Sequence, residues 1–320
     1  MAKEGRDVGA EAMIIAGDLF DSDRVPLSTC RQIIAVIESF SEISFIYLAG
    51  NHEKSAFVEC GLAMPKNLKI FTNSDTRFDF GELSVYGLTD AERSAIVGLT
   101  PDPGRRNILV LHGALTDGKS SGGDVIGIDD LKDKGFDYIA LGHYHSYEVR
   151  ELDKRCKAVY CGTPEGRGFD ECGEKGYVLL DIDESGVSHR FRKFARRTVR
   201  RIEVNAEGVT ERYELEERAA EALEKVPKED TVRLAFVGKR SPELVIDTLK
   251  LSARWQSSFF YFEAVDETSI KVDPADYAFD KSLKGEFIRL VSGRDDLSDE
   301  EKGQIILCGI NALMGEFYEV

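Results

Sequence analysis

Along the chain, short apolar runs end abruptly in a glycine followed by a polar residue, the pattern of buried strands that run out into functional loops. Four of these runs carry the pattern most clearly. Ala12-Met13-Ile14-Ile15-Ala16 passes into Gly17-Asp18-Leu19-Phe20-Asp21, and the run from Ile43 to Ala49 passes into Gly50-Asn51-His52-Glu53. Further on, Ile108-Leu109-Val110-Leu111 meets His112-Gly113, and Tyr138-Ile139-Ala140-Leu141 meets Gly142-His143-Tyr144-His145. Helix-like stretches lie between them, among them Ser28 to Phe40 with its apolar Ile33, Ile34, Val36 and Ile37. Alternating strands and helices predict a layered α/β fold, and such sheets present ligands at the carboxyl ends of their strands. The four polar clusters should therefore converge on one rim.

Past this core the pattern changes twice. Lys175 to Phe194 reads as a two-stranded hairpin around Glu184-Ser185-Gly186. Then a strand (Val199 to Val204), a charged helix (Glu211 to Val226), a strand (Thr231 to Val237), a helix (Pro242 to Ala253) and a strand (Ser258 to Val265) predict a small second α/β domain. Near the end, Ser298 and Glu301 are spaced as a capping box, ahead of Ile305, Ile306, Ile310, Leu313 and Met314 at helical spacing. The expected organisation is residues 1–195, 196–275 and a helical tail over 276–320.

Length and composition fit this reading, since 320 residues suit about two domains at roughly 150 residues each, and 42% hydrophobic residues can fill a real core. A formal charge of −16 counts against nucleic acid as a partner, because affinity for phosphate backbones comes mainly from Lys and Arg. That objection weakens if metals meet the substrate, or if the basic segment from Arg190 to Arg201 contacts phosphate. The ordinary alternative for that segment is an edge strand whose basic residues are solvated or paired with carboxylates. Trp255, Phe259, Phe260, Tyr261 and Phe262 pose the same choice between base stacking and core packing. Cysteines at 30, 60, 156, 161, 172 and 308 form no CxxC pair, so free thiols in a reducing cytoplasm are expected. No apolar run reaches the ~20 residues of a membrane span, and the residues after Met1 do not read as a signal sequence.

What chemistry places Asp, Asn and several His on one rim, when the whole chain has only five His? Neutral imidazole, carboxylate and amide oxygen suit divalent Mn, Fe or Zn better than Ca or Mg alone. Two such ions roughly 3.5–4 Å apart, bridged by one carboxylate, can activate a water and hold the attacking and leaving oxygens of a phosphoryl group. A glycine before each ligand lets the backbone approach closely. A lone His after a strand is usually packed or on the surface, but four clusters in this order argue for a shared site.

GDLFD at 17–21, GNHE at 50–53, the isolated His112 and GHYH at 142–145 resemble four of the five motifs of the calcineurin-like metallophosphoesterases. The resemblance implies a core of two sheets flanked by helices, holding two divalent ions, with manganese as the first expectation and iron, zinc or magnesium as alternatives. It also implies that Asp18 bridges the metals, that Asn51, His112 and His143 complete one metal site, and that His145 serves the other. His52 matches the family's catalytic histidine, which stabilises the transition state or protonates the leaving oxygen. Glu53 is the natural group to orient it, while Asp21 should structure its own loop.

One departure matters. These enzymes begin with a strand ending in Asp-x-His, which supplies two ligands to the first metal, and no Asp-x-His occurs in these 320 residues. Either the sequence lacks its first strand, through a late start or an incomplete gene model, or the first metal site is weak by nature. Loss of a central strand would leave apolar surface and backbone groups on its neighbours uncovered. Gly162-Thr163-Pro164, followed by Phe169-Asp170-Glu171 and Lys175-Gly176, is similar to the SbcD-type DNA repair exonuclease subunits. That likeness implies a metal-dependent DNA exonuclease or endonuclease with a capping domain that orients DNA, a coiled-coil ATPase partner of the SbcC type, and a homodimer as a further expectation. The competing readings are a phosphoesterase acting on nucleotides or phosphoproteins, and a metal-poor, non-catalytic scaffold subunit.

Overall fold

A computed structural model describes residues 1–53, 57, 59–120 and 124–314. The chain divides into two compact units, residues 1–167 with 173–196, and residues 168–172 with 197–320. The main part of the second unit thus starts one residue after the boundary expected from sequence, and this unit also takes in residues 168–172, expected in the first domain, and 276–314, expected as a helical tail. The last six residues lie outside the described ones.

The first unit is built from two sheets. Strands β1 (Ala12–Ala16), β2 (Ser44–Leu48) and β3 (Leu68–Ile70) form a parallel sheet in that order. The second sheet uses β4 (Arg77–Phe80), β5 (Leu83–Gly87), β6 (Arg106–His112), β9 (Tyr138–Gly142), β10 (Glu148–Glu151) and β11 (Lys157–Tyr160), in the order β10-β11-β9-β6-β5-β4. Here β5, β6, β9 and β11 run parallel, while β4 and β10 are antiparallel edges. Two short strands, β7 (Ala114–Thr116) and β8 (Val125–Gly127), pair beyond β6, and β12 (Gly176–Asp183) and β13 (Gly186–Lys193) form the expected hairpin.

Strand alternation explains why the sheets stack. On β2, Ile46 and Leu48 face the layer between the sheets, while Phe45 and Tyr47 face the opposite side; on β6, Ile108 and Val110 share that inner layer while Leu109 and Leu111 face outward. With both faces apolar, each sheet needs cover on both sides. The outer face of the first sheet is closed by helix α2 (Leu27–Ser39) through Cys30, Ile34 and Ile37, with Ala2 of the short helix α1 (Ala2–Asp7) alongside. Strand β1 is an edge, and its Met13, Ile14 and Ile15 are only half-buried.

The second unit is a β-α-β-α-β arrangement. Strands β14 (Val199–Asn205), β15 (Thr231–Val237) and β17 (Tyr261–Asp266) make a parallel sheet, with helices α3 (Arg212–Leu223) and α4 (Thr248–Trp255) packed on it. The pair β16 (Lys239–Arg240) and β18 (Ser269–Ile270) leads to helices α5 (Leu283–Ser292) and α6 (Asp299–Met314), which pack on Tyr277. The capping box forms as expected: Ser298 Oγ accepts from Glu301 N at 3.3 Å and the Glu301 carboxylate accepts from Ser298 N at 2.8 Å. Trp255, Phe259 and Phe262 belong to the core, whereas Phe260 and Tyr261 are exposed, with the Arg197 guanidinium 3.6 Å from the Phe260 ring. Within the basic segment, Arg190 pairs with Asp181 (2.8 Å), Lys193 with Glu174 (3.5 Å), Arg200 with Asp230 (2.5 Å) and Arg201 with Glu203 and Glu267, which favours the ordinary reading. Among the described residues, no helix is long and apolar enough to cross a membrane.

At the amino ends of the second sheet's strands, buried Asp137 ties the register together. Its carboxylate accepts from Asn107 N (2.8 Å) and from Arg155 Nε and Nη2 (2.8 and 2.9 Å). Replacing it leaves a buried N–H and a guanidinium without their acceptor. Asp137→Ala is expected to destabilise the protein by about 2–3 kcal/mol, read as a lower urea midpoint at unchanged slope; a midpoint equal to the parent's overturns this role.

Candidate metal centre

Strands β1, β2, β6 and β9 all end on one rim of the first unit. Asp18 follows β1 by two residues and Asn51 follows β2 by three, while His112 is the last residue of β6 and His143 the first after β9. Ligand atoms of Asp18, His112 and His143 all lie within 4.8 Å of one another. Asn51 joins them, with its Oδ1 3.0 Å from His112 Nε2. His145 lies outside that group of three. His52 is exposed beside the cluster, and its charge acts on the carboxylates of both Asp18 and Asp21.

The arrangement is tight and locally strained. Asp18 (φ 52°) and His143 (φ 104°) adopt left-handed backbone conformations that cost of order 1–3 kcal/mol each outside glycine. Two glycines make the approach possible. A Cβ on Gly50 would collide with Asp18 Oδ1 and its backbone N, and a Cβ on Gly142 would collide with the Ala16 carbonyl and the His112 ring.

Protons at the site follow from its hydrogen bonds. His112 Nδ1 sits 2.8 Å from the Ala16 carbonyl, so this nitrogen carries the proton and donates. Nε2 is then turned toward two acceptors, Asn51 Oδ1 and, at 3.2 Å, Asp18 Oδ2. Such a nitrogen needs either a second proton or a cation between it and those oxygens. Burial alone would lower the His112 pKa, but Asp18 and the Ala16 carbonyl outweigh it and raise it. Burial pushes Asp18 upward, and His112 and His52 more than reverse this, leaving its pKa below the ordinary value. Burial and the neighbouring His112 lower the His143 pKa, which favours the neutral form that a metal ligand needs.

A divalent cation fits these residues. Among the described residues, Asp18 Oδ1 is buried without a hydrogen-bond partner, an arrangement that costs free energy unless something positive meets it. The donor set of carboxylate, amide oxygen and two imidazoles matches borderline divalent ions.

Two further groups differ from the sequence reading. Glu53, expected to orient His52, is fully buried and accepts instead from Leu19 N (3.2 Å), Phe20 N (3.3 Å), Gly50 N (3.0 Å) and Tyr47 Oη (2.8 Å). It locks the Asp18 loop to the Asn51 loop, because a buried carboxylate takes backbone N–H donors from both. Asp124 is a group the sequence does not single out: its Oδ2 accepts from Asn51 Nδ2 at 3.1 Å, which fixes the amide so that its oxygen, not its nitrogen, faces His112. No strand-end signal marks Asp124; it lies 73 residues from the amide it orients. Asp21 carries an exposed ion pair with Arg167 (2.7 Å).

Residues 2–147 match the family model described as calcineurin-like phosphoesterase. The chain is 27% identical to the Bacillus subtilis metallophosphoesterase YhaO over 74% of its own length and 62% of that protein's. It is 30% identical to the DNA double-strand break repair protein Mre11 of Sulfurisphaera tokodaii, over 54% of the chain and 49% of the relative. Against Mre11 of Methanosarcina mazei it is 24% identical, over 76% of the chain and 41% of the relative. The chain thus spans less than two thirds of the length of each of these relatives.

Manganese added to the protein is expected to raise the melting temperature, by about 2.7 kcal/mol of added stability at 100 times Kd, and a chelator should reverse it. Asp18→Asn should remove most of the shift; an equal shift in that variant overturns the centre. For Asp124, substitution by Leu should weaken manganese affinity about 10–100-fold by titration, and unchanged affinity removes it from its role.

Proposed function

We propose, since residues 2–147 match the calcineurin-like phosphoesterase family model, that this chain is a metal-dependent phosphodiesterase acting on DNA, a nuclease subunit of the SbcD or Mre11 kind. The observation that carries the reading is the convergence of Asp18, Asn51, His112 and His143 at the ends of four strands, around a buried carboxylate oxygen without a hydrogen-bond partner among the described residues. The similarity to proteins named for DNA double-strand break repair supports DNA as the substrate. Asp18, Asn51, His112 and His143 would hold one divalent ion, and Asp18 with His145 would contribute to a second. Bound there, such ions supply Lewis acidity toward a phosphoryl oxygen and a water of lowered pKa.

The chain's own residues then have separable tasks. Asp124 and the Ala16 carbonyl orient the ligand atoms of Asn51 and His112, and Glu53 fixes the two loops between which the phosphate must enter. His52 stands exposed at that entrance, where an imidazole can donate a proton to the departing oxygen. A coiled-coil ATPase partner of the SbcC type and a homodimer belong to the same proposal.

The test is labelled DNA incubated with manganese and the protein, beside His52→Ala. Cleavage by the parent and a loss of about 10²–10⁴-fold in the variant are expected; equal rates take His52 out of its role. Hydrolysis of nucleotides or phosphopeptides without DNA cleavage replaces the substrate assignment, and DNA binding without any hydrolysis points to the scaffold reading.

A further inference from the structure

Lys175 is among the most completely buried large side chains of the chain, only 2% exposed, and none of the tasks above uses it. Burying an ammonium costs several kcal/mol even after relaxation, unless hydrogen bonds and geometry repay it. Its Nζ donates to the backbone carbonyl of His145 at 2.5 Å. The same carbonyl accepts from Thr163 N at 3.4 Å, and the Thr163 carbonyl accepts from Gly176 N at 3.0 Å, beside Lys175 in sequence. The Lys175 main chain is itself anchored, since its carbonyl accepts from Phe194 N (3.0 Å) and Ala195 N (3.2 Å) at the far end of the β12–β13 hairpin. Close behind, a Cβ on Gly162 would touch the His145 carbonyl at 3.0 Å and Tyr147 N at 3.1 Å. The loop that carries His143 and His145 is thus gripped from the hairpin side at the His145 carbonyl.

This carbonyl already accepts from Thr163 N, so a buried ammonium is an expensive second donor for it. The expense is intelligible if the position of that peptide matters. Holding the carbonyl fixes the peptide plane from which the His145 side chain departs, two residues beyond the strained backbone of His143. We propose that Lys175 is a positioning residue: it sets the His145 main chain and, through it, the affinity of the second cation of the centre. This rests on the metallophosphoesterase reading above.

The experiment measures manganese uptake by the full chain, by equilibrium dialysis and electron paramagnetic resonance, in the parent, Lys175→Met, His145→Ala and the double variant. Lys175→Met keeps the stem and removes the charged donor. It should weaken one of two bound ions about 10–100-fold and leave the other unchanged, and it should have no further effect once His145 is Ala. Parental affinity in Lys175→Met, equal losses in both backgrounds, or parental binding by His145→Ala each overturns the inference. If Lys175→Met does not fold, Lys175→Gln is read in the same cycle. A parent that takes up no manganese sinks the metallophosphoesterase reading itself, whereas a parent that takes up only one ion, or a Lys175 variant that binds two as well as the parent does, overturns the inference about Lys175.

Discussion

The centre depends on one hydrogen bond, from His112 Nδ1 to the Ala16 carbonyl at 2.8 Å. It joins the last residue of β6 to the last residue of β1, and so ties the carboxyl ends of the two sheets together. It also decides chemistry, because a ring that donates from Nδ1 must present Nε2 to the pocket. Without that tautomer, Asn51 Oδ1 and Asp18 Oδ2 would face an N–H rather than a lone pair that a cation can share. Gly142 lies against the same carbonyl, so the sequence Leu-Gly-His at the end of β9 is a packing requirement of the β1 terminus as much as a loop signal.

The strain at Asp18 and His143 has to be offset nearby. Glu53 does much of this for the first of them. Its carboxylate draws Leu19 N, Phe20 N and Gly50 N onto one buried point, with Tyr47 Oη as a fourth donor, and charge-assisted bonds of this kind are stronger than neutral ones. The residue that looks in sequence like a partner for His52 therefore acts one level deeper. It holds the Asp18 and Asn51 loops in register and leaves His52 exposed.

What was legible in the sequence was whatever local periodicity and strand termini encode. The run Ala12–Ala16 forms β1 with those bounds, and the hairpin and capping box form where their turn residues and spacing place them. The convergence of Asp18, Asn51, His112 and His143 could be read because each sits just beyond an apolar run. The helix expected over Pro242 to Ala253 starts instead at Thr248, since Asp247 caps it by accepting from Lys250 N, while the Leu244 carbonyl is taken by buried Arg240 before any helix begins. Asp124 and Lys175 were invisible for the same kind of reason. Their partners are 73 and 30 residues away, and nothing in the flanking residues announces a long-range contact.

The acidity of the chain bears on how a polyanion is approached. A net charge of −16 repels phosphate at long range, and the segment richest in Arg and Lys has much of its charge neutralised by Asp181, Glu174, Asp230, Glu203 and Glu267. Those pairs bind the strands and loops of each unit to their own neighbours rather than leaving an open basic track. In the proposed function, attraction for a phosphodiester falls to the rim itself, to His52 and to the cations that Asp18, Asn51, His112 and His143 are arranged to hold. A site of that kind favours phosphate that reaches the pocket over phosphate that only passes the surface, because the compensating charge is confined to a few ångströms around one buried carboxylate.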